Sequence, residues 1–402
     1  MSRAFWFVHP MSIDSAILIA PDWPGSISGY QIAIKSSLSF FLRKYQDITC
    51  LILIDREPPD DLHQFGDKAT FIHVPIRKKS VKSRFVKSLF HRAPASCLAF
   101  LEPHVVSTVA DHVQKLLAEN SSRDLILEDI PVCGLFMETP ILDGLKHQKI
   151  LRSHNVLSEA FRGFTNEPNP VKRFAWTIEL NKILRFEKSA LGSVDQVLAI
   201  TNNDRDQYNE LFPSIQIQML PVGFDERFFD STLVDNSKID AQKILSLGTM
   251  DLRKSHGMAW FINSCFKKMP HKDPNLELIL GGKGTDNLNN PQIGIQGLGF
   301  VDDEREFMSL GQLFVNPQKY GSGVKLKSLV AMAYGKCLIS TSKGVEGIGA
   351  EPDTHFLLAD TDDEMIDLLM RIQSGELDTL TLGRNARQFV IDHYSQSNIQ
   401  IS

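Results

Sequence analysis

The run Val315-Asn316-Pro317-Gln318-Lys319-Tyr320-Gly321-Ser322-Gly323-Val324-Lys325-Leu326-Lys327 passes from an apolar stretch into a glycine loop, then into a helical segment ending at Gly335. Glycine lets the backbone approach a ligand closely, and the N–H groups at a helix N-terminus point towards an anion. Lys325 and Lys327 add compact positive charge near that end. Binding a diphosphate calls for these groups, although many α/β turns use the same pattern only to reverse the chain. His154 is a second candidate. It closes an expected strand and precedes Asn155, where open α/β sheets carry ligand contacts. A neutral imidazole there can donate a hydrogen bond to a hydroxyl, and a structural strand-end histidine is the alternative. Three other patterns read as structural. Thr201 and Asp204 suit a capping box. Asp360-Thr361-Asp362 superficially resembles a D-x-D metal motif but sits where carboxylates meet the positive end of a helix dipole. Leu280-Gly281-Gly282-Lys283-Gly284 lacks the Walker spacing of an ATPase.

Two packed domains are expected to position these residues, because 402 residues with 43% hydrophobic content exceed what one core usually serves. Short Val/Ile/Leu-rich runs alternate with helical segments, the pattern of parallel sheets built from βαβ units. The first series of strands is expected at 4–8, 16–20, 49–54, 70–74, 125–127, 149–153 and 196–200. The second is expected at 244–247, 276–280, 294–298, 313–315, 337–341 and 355–358. Pro221, Gly223 and the polar cluster at 230–237 separate the two, placing the boundary near residue 222. A formal charge of −5 argues against a dedicated nucleic-acid binder. The five cysteines lie far apart in apolar surroundings and read as buried thiols of a reducing compartment, with neither zinc nor disulfides signalled. No run approaches the roughly 18 apolar residues that span a bilayer, and no leader segment is evident, so a cytoplasmic protein is expected.

The stretch from Gly321 to Ile348 (G-S-G-V-K-L-K-S-L-V-A-M-A-Y-G-K-C-L-I-S-T-S-K-G-V-E-G-I) resembles the donor-binding segment of GSG-type members of glycosyltransferase family four, the large retaining GT-B family. Leu151-Arg152-Ser153-His154-Asn155-Val156, Phe186-Glu187-Lys188 through Thr201, Leu220-Pro221-Val222-Gly223-Phe224-Asp225 and Leu247-Gly248-Thr249-Met250-Asp251 follow in the order of that family. The resemblance implies two Rossmann-like doubly wound domains facing a central cleft. Residues 1–222 would bind the acceptor and 223–385 the nucleotide sugar, with a C-terminal helix in 386–402 returning towards the first domain. It also implies a donor diphosphate held by Gly248, Gly321, Ser322, Gly323, Lys325, Lys327 and Lys254, with Arg253 assisting. His154 would face the donor sugar, Arg152 and Asn155 would lie on the acceptor side, and Gly25 and Gly29 would line the cleft as the N-terminal glycine loop. An arginine common in the family after the glycine matching Gly248 is replaced by Thr249. The family's ribose-binding glutamate is replaced by Val330, which cannot bind hydroxyls.

The implied reaction is transfer of a hexose-like sugar from a UDP- or GDP-type donor to a hydroxyl of a glycan or lipid-linked acceptor, with retention, in polysaccharide or glycoconjugate synthesis. No carboxylate pair suited to double displacement is legible. The lysines would neutralise the leaving group, so the reading calls for no metal and no cofactor beyond the nucleotide sugar. Two rivals stay open: a catalytically silent subunit that binds sugar nucleotide or glycan, which Val330 favours, and a sugar-nucleotide epimerase of the same fold. The segment from Arg77 to Arg92 carries seven basic residues and no acid, with Val81, Phe85, Val86, Leu89 and Phe90 at helical spacing. Such a helix suits contact with the inner face of an anionic membrane, and a solvated basic face packed on the domain is its alternative.

Overall fold

A computed structural model describes residues 15–25, 29–76, 81–137, 148–232, 235–250, 252–320 and 323–402, and only the backbone at 81–82, 137, 231 and 252–255. The expected strand at 4–8 lies outside the described residues. The chain divides into two compact units. The first gathers residues up to His154 with Phe174–Leu198 and Ser214–Gln218, and the second gathers Asn155–Arg173, Ala199–Pro213 and Met219–Ser402.

The first sheet comprises β1 (Ser15–Ala20), β2 (Asp47–Leu53), β3 (Ala69–Val74), β4 (Asp124–Glu128), β5 (Lys149–Ser153), β6 (Gln196–Ala199) and β7 (Ile217–Met219), in the order β3-β2-β1-β4-β5-β6-β7. Its central strand, SAILIA, is buried along its whole length, as a parallel strand covered on both faces must be. The connecting helices are α1 (Gly29–Phe41), α2 (Val81–Leu89), α3 (Pro103–Glu119), the short α4 (Gly134–Met137) and α5 (Leu157–Arg162), then the long α6 (Pro170–Gly192) and α7 (Asn202–Leu211). Thr201 caps α7, its Oγ1 accepting from the Asp204 amide at 3.0 Å.

After α8 (Glu226–Ser231), the second sheet comprises β8 (Lys243–Leu247), β9 (Glu277–Gly281), β10 (Ile295–Gly297), β11 (Leu313–Asn316), β12 (Cys337–Ser340) and β13 (Leu357–Leu358), ordered β10-β9-β8-β11-β12-β13. Its helices are α9 (Leu252–Trp260), α10 (Glu304–Ser309), α11 (Leu326–Ala333), α12 (Asp362–Gln373) and α13 (Thr379–Tyr394). A core of Ile244, Met258, Leu278, Leu313, Ile339 and Met365 joins the sheet to α9 and α12.

Both sheets are Rossmann-like, and in each the strand order reverses once. The reversal falls between β1 and β4 in the first sheet and between β8 and β11 in the second. Ligands of open α/β sheets bind beyond the carboxyl ends of the strands at such points. The three-residue β7 has no counterpart among the sequence expectations, because a segment so short shows no periodicity. The five cysteines are buried free thiols. The D-x-D match is a helix start: Thr361 caps α12 in a capping box with Glu364, while Asp362 accepts from the Trp260 indole and Asp360 from the Ser342 amide. Among the described residues no helix is long and apolar enough to cross a membrane.

Candidate functional site

At the second switch point the chain brings backbone against backbone. β8 ends at Leu247, and Gly248 follows with φ 151°, its amide donating to Gly281 O at 2.8 Å. A Cβ on Gly282 (φ 121°) would lie 2.4 Å from Gly248 O, so the turns after β8 and β9 touch because Gly282 carries none. A Cβ on Gly257 of α9 would lie 2.0 Å from Pro317 O, which draws that helix onto the loop after β11. Between these segments lies a small hollow lined by Gly248, Thr249, Met250, Pro317, Gln318 and Lys327. Gly321 and Ser322 lie outside the described residues. Arg253 and Lys254 fall in the first turn of α9, and their side chains are likewise outside the description.

The two lysines of the glycine loop have different surroundings. Lys327 is half-buried, and its Nζ reaches 4.0 Å from where a Cβ on Gly248 would stand. Lys325 turns inward, with its side chain only 3% exposed. Its Nζ donates to Gly323 O at 2.6 Å and lies 3.4 Å from Glu346, which also holds Lys343 at 2.7 Å. Burial lowers the Lys325 pKa, and the Glu346 charge opposes the shift. Lys325 therefore ties the loop to the turn after β12 from inside, together with Gly323, which is buried at φ 75°. Val330 is buried in α11.

Asn316, which sequence reasoning passed over, anchors the same region. Its Nδ2 donates to Ser328 Oγ at 2.8 Å and to Gly344 O at 2.9 Å, fixing the end of β11 to α11 and to the next turn. An asparagine closing an otherwise apolar strand before a proline was the available signal. A wider hollow of ≈ 930 Å³ in the second unit is lined by Thr201, Gly347, His355, Asn385, Phe389 and His393, among others. Its lining includes Glu351 and Asp392 and, among the described residues, no lysine or arginine. A diphosphate would find no counter-charge there.

At the first switch point the material is side chains. His154 follows β5 and is 7% exposed, with Nε2 2.7 Å from Glu128 Oε2 and its amide donating to Asp129 Oδ1 at 3.3 Å. Asp129 follows β4 with φ 77°, a conformation that costs a non-glycine residue energy and that its surroundings must impose. The Tyr30 hydroxyl, in the first turn of α1, donates to Asp129 Oδ2, and its ring stands 4.6 Å from that of His154. Burial first, and then the Asp129 carboxylate, push the Tyr30 phenol well above its ordinary pKa. Arg152 is wholly buried, donating to Ala33 O at 2.9 Å, and this places its guanidinium in the interior of the first unit, away from any surface that could meet an acceptor.

Gly25 is buried against the Gln31 side chain, while Gly29 opens α1 exposed. Asn155, the first residue of the second unit, is partly exposed and its carbonyl accepts from Tyr208 Oη at 2.8 Å. Sequence reasoning found His154 but missed Tyr30, Glu128 and Asp129. Among the described residues no group of three or more His, Cys, Asp or Glu side chains is arranged to hold a metal ion.

Residues 241–374 match the family described as Glycosyl transferases group 1. The chain is 22% identical over 295 residues to an uncharacterized 44.6 kDa protein in the cps region of Klebsiella pneumoniae, covering 70% of this chain and 73% of that one. Sucrose-phosphate synthase from Thermosynechococcus elongatus superposes with a TM-score of 0.69 at 15% identity, over 96% of both chains. Anabaena Alr3699/HepE, crystallised with UDP, superposes with a TM-score of 0.63 at 12% identity, again over 96% of both. The chain thus has the fold of the GT-B glycosyltransferases, and its second unit carries the likeness to glycosyltransferase group 1.

Proposed function

We propose that this protein transfers a sugar from a nucleoside-diphosphate donor to a hydroxyl of a glycan or lipid-linked acceptor, with retention. The observation that carries the reading is the hollow at the second switch point, where Lys327 stands beside Gly248 and Thr249 inside the segment matched to glycosyltransferase group 1. A departing nucleoside diphosphate accumulates negative charge, and fixed cations and backbone amides stabilise it without reorganising. Lys327 and Gly248 supply part of that environment, and the resemblance of the sequence assigns Lys254, Arg253, Gly321 and Ser322 to the same diphosphate. Lys325 and Gly323 hold the loop in shape. Rate beyond leaving-group stabilisation comes from holding the acceptor hydroxyl in line, with His154 at the sugar. A UDP-type donor is favoured because the Anabaena protein of the same fold was crystallised with UDP and with UDP-glucose. The likeness to a cps-region protein fits a place in polysaccharide synthesis.

The basic helix α2 supports work at the inner face of an anionic membrane. Phe85 packs on Trp176 at 4.6 Å, and buried Glu179 accepts from Ser88 Oγ at 2.9 Å, which anchors one face of the helix to the first unit. Val86, Leu89 and Phe90 are left exposed, Phe90 at 90%, beside exposed Lys87 and Arg92. Apolar side chains ringed by cations suit the boundary of anionic headgroups.

Val330 favours one second reading, a silent subunit that binds nucleotide without turnover, since a buried valine offers the ribose no acceptor. Incubation with a panel of mass-tagged UDP- and GDP-sugars, with and without glycan and lipid-linked acceptors, decides between them. Product formed only with acceptor is expected. Binding without turnover would establish the silent subunit, and donor converted in the absence of acceptor would establish an epimerase.

A further inference from the structure

At the end of β4 and β5, His154 has one ring nitrogen committed and one uncommitted. Nε2 lies 2.7 Å from Glu128 Oε2. Nδ1 is buried and meets no hydrogen-bond partner among the described residues. Glu128 is wholly buried, as is Arg152, its register partner across the two strands. Register partners point to the same face of a sheet, and the Glu128 charge supports the Arg152 cation against the cost of its burial. A carboxylate accepts hydrogen bonds and donates none. The proton it attracts from the imidazole must sit on Nε2. The Tyr30 ring packs against the imidazole, and the Tyr30 hydroxyl is spent on Asp129, so it does not compete for Nδ1.

We propose that Glu128 is a positioning residue that holds His154 as the Nε2–H tautomer, leaving Nδ1 as a fixed acceptor for a sugar hydroxyl; the assignment to a sugar rests on the transferase reading. The imidazole then accepts from the substrate, the reverse of the donor role that the sequence suggests for it. Glu128 sets the tautomer and the ring plane without touching the sugar, and Arg152 stands beside Glu128 as its register partner. The three side chains form a relay from the interior of the first unit to one imidazole nitrogen.

The direct test is a long-range proton–nitrogen spectrum of the full chain labelled at its 12 histidines, with His154 assigned by the signals lost in His154→Asn. A pyrrole-type Nε2 and a pyridine-type Nδ1 are expected. A proton on Nδ1, in either the neutral ring or the imidazolium, overturns the proposal whatever the protein is found to catalyse. Titration with UDP-glucose should then shift the Nδ1 signal more than Nε2, and titration with UDP alone should leave both in place. If neither nucleotide binds, the tautomer result stands and only the donor reading fails. In Glu128→Gln, UDP release from UDP-glucose should slow at least tenfold in kcat while the UDP affinity stays within twofold. An unchanged kcat in a folded Glu128→Gln protein overturns the proposal. Should that variant not fold, the spectrum of the native chain decides alone.

Discussion

Beyond β8 and β11 the second unit presents mostly backbone: Gly248, Gly282 with no room for a Cβ, amides, and, among the described residues, one half-buried lysine lining the hollow. Beyond β1, β4 and β5 the first unit presents Tyr30, Asp129, Glu128 and His154, each hydrogen-bonded to another and largely dry. Both places are switch points of the same kind of sheet. The two kinds of material suit different ligands. Backbone amides and lysine suit a diphosphate, whose charge is diffuse and needs many donors. An ordered set of ionisable side chains suits a hydroxyl, which needs one partner at a fixed distance and orientation.

This contrast predicts that substitutions in the two regions fail differently. Lys327→Ala removes a charge-assisted contact worth about 1.5–3 kcal/mol, so UDP should bind roughly tenfold to a hundredfold more weakly in calorimetry. Tyr30→Phe should behave in the opposite way. It strips a donor from buried Asp129 and should cost about 1–3 kcal/mol in denaturant unfolding, with UDP affinity unaltered. Lys325→Met sharpens the comparison inside the second unit. Its ammonium is spent on Gly323 O and Glu346, so the loss should appear as about 1–2 kcal/mol of stability, with UDP affinity changing less than in Lys327→Ala. The smallest effect is expected just after α2, where Phe90→Ser should lower partitioning onto anionic vesicles by about 1–2 kcal/mol and leave both the fold and UDP binding untouched.

The alternation of apolar runs and helical segments made every described strand of the two sheets legible except β7. The cap at Thr201 and the helix start at 360–362 were legible for the same reason: their cause lies within a few residues of chain. The cluster around His154 was not. Tyr30 and Asp129 are 99 residues apart, and only the strand order β1-β4-β5 brings them together. The different fates of Lys325 and Lys327 were also hidden. Both stand beside the glycine loop with the same charge, and only the position of Glu346, 21 residues on from Lys325, turns one of them inward. Arg152 misled in a similar way. An arginine at a strand end invites a role at the surface, whereas the face it occupies is covered by α1, and its guanidinium binds that helix at Ala33.

Hydrogen exchange of the full chain with and without saturating UDP tests the central claim most directly, because it needs neither an acceptor nor turnover. The account predicts slowed exchange in the segments at 248–250 and 317–327, with His154 and its neighbours unaffected by UDP alone. Slowed exchange confined to the wider hollow around 347–355 and 385–393, or no change anywhere, would contradict it.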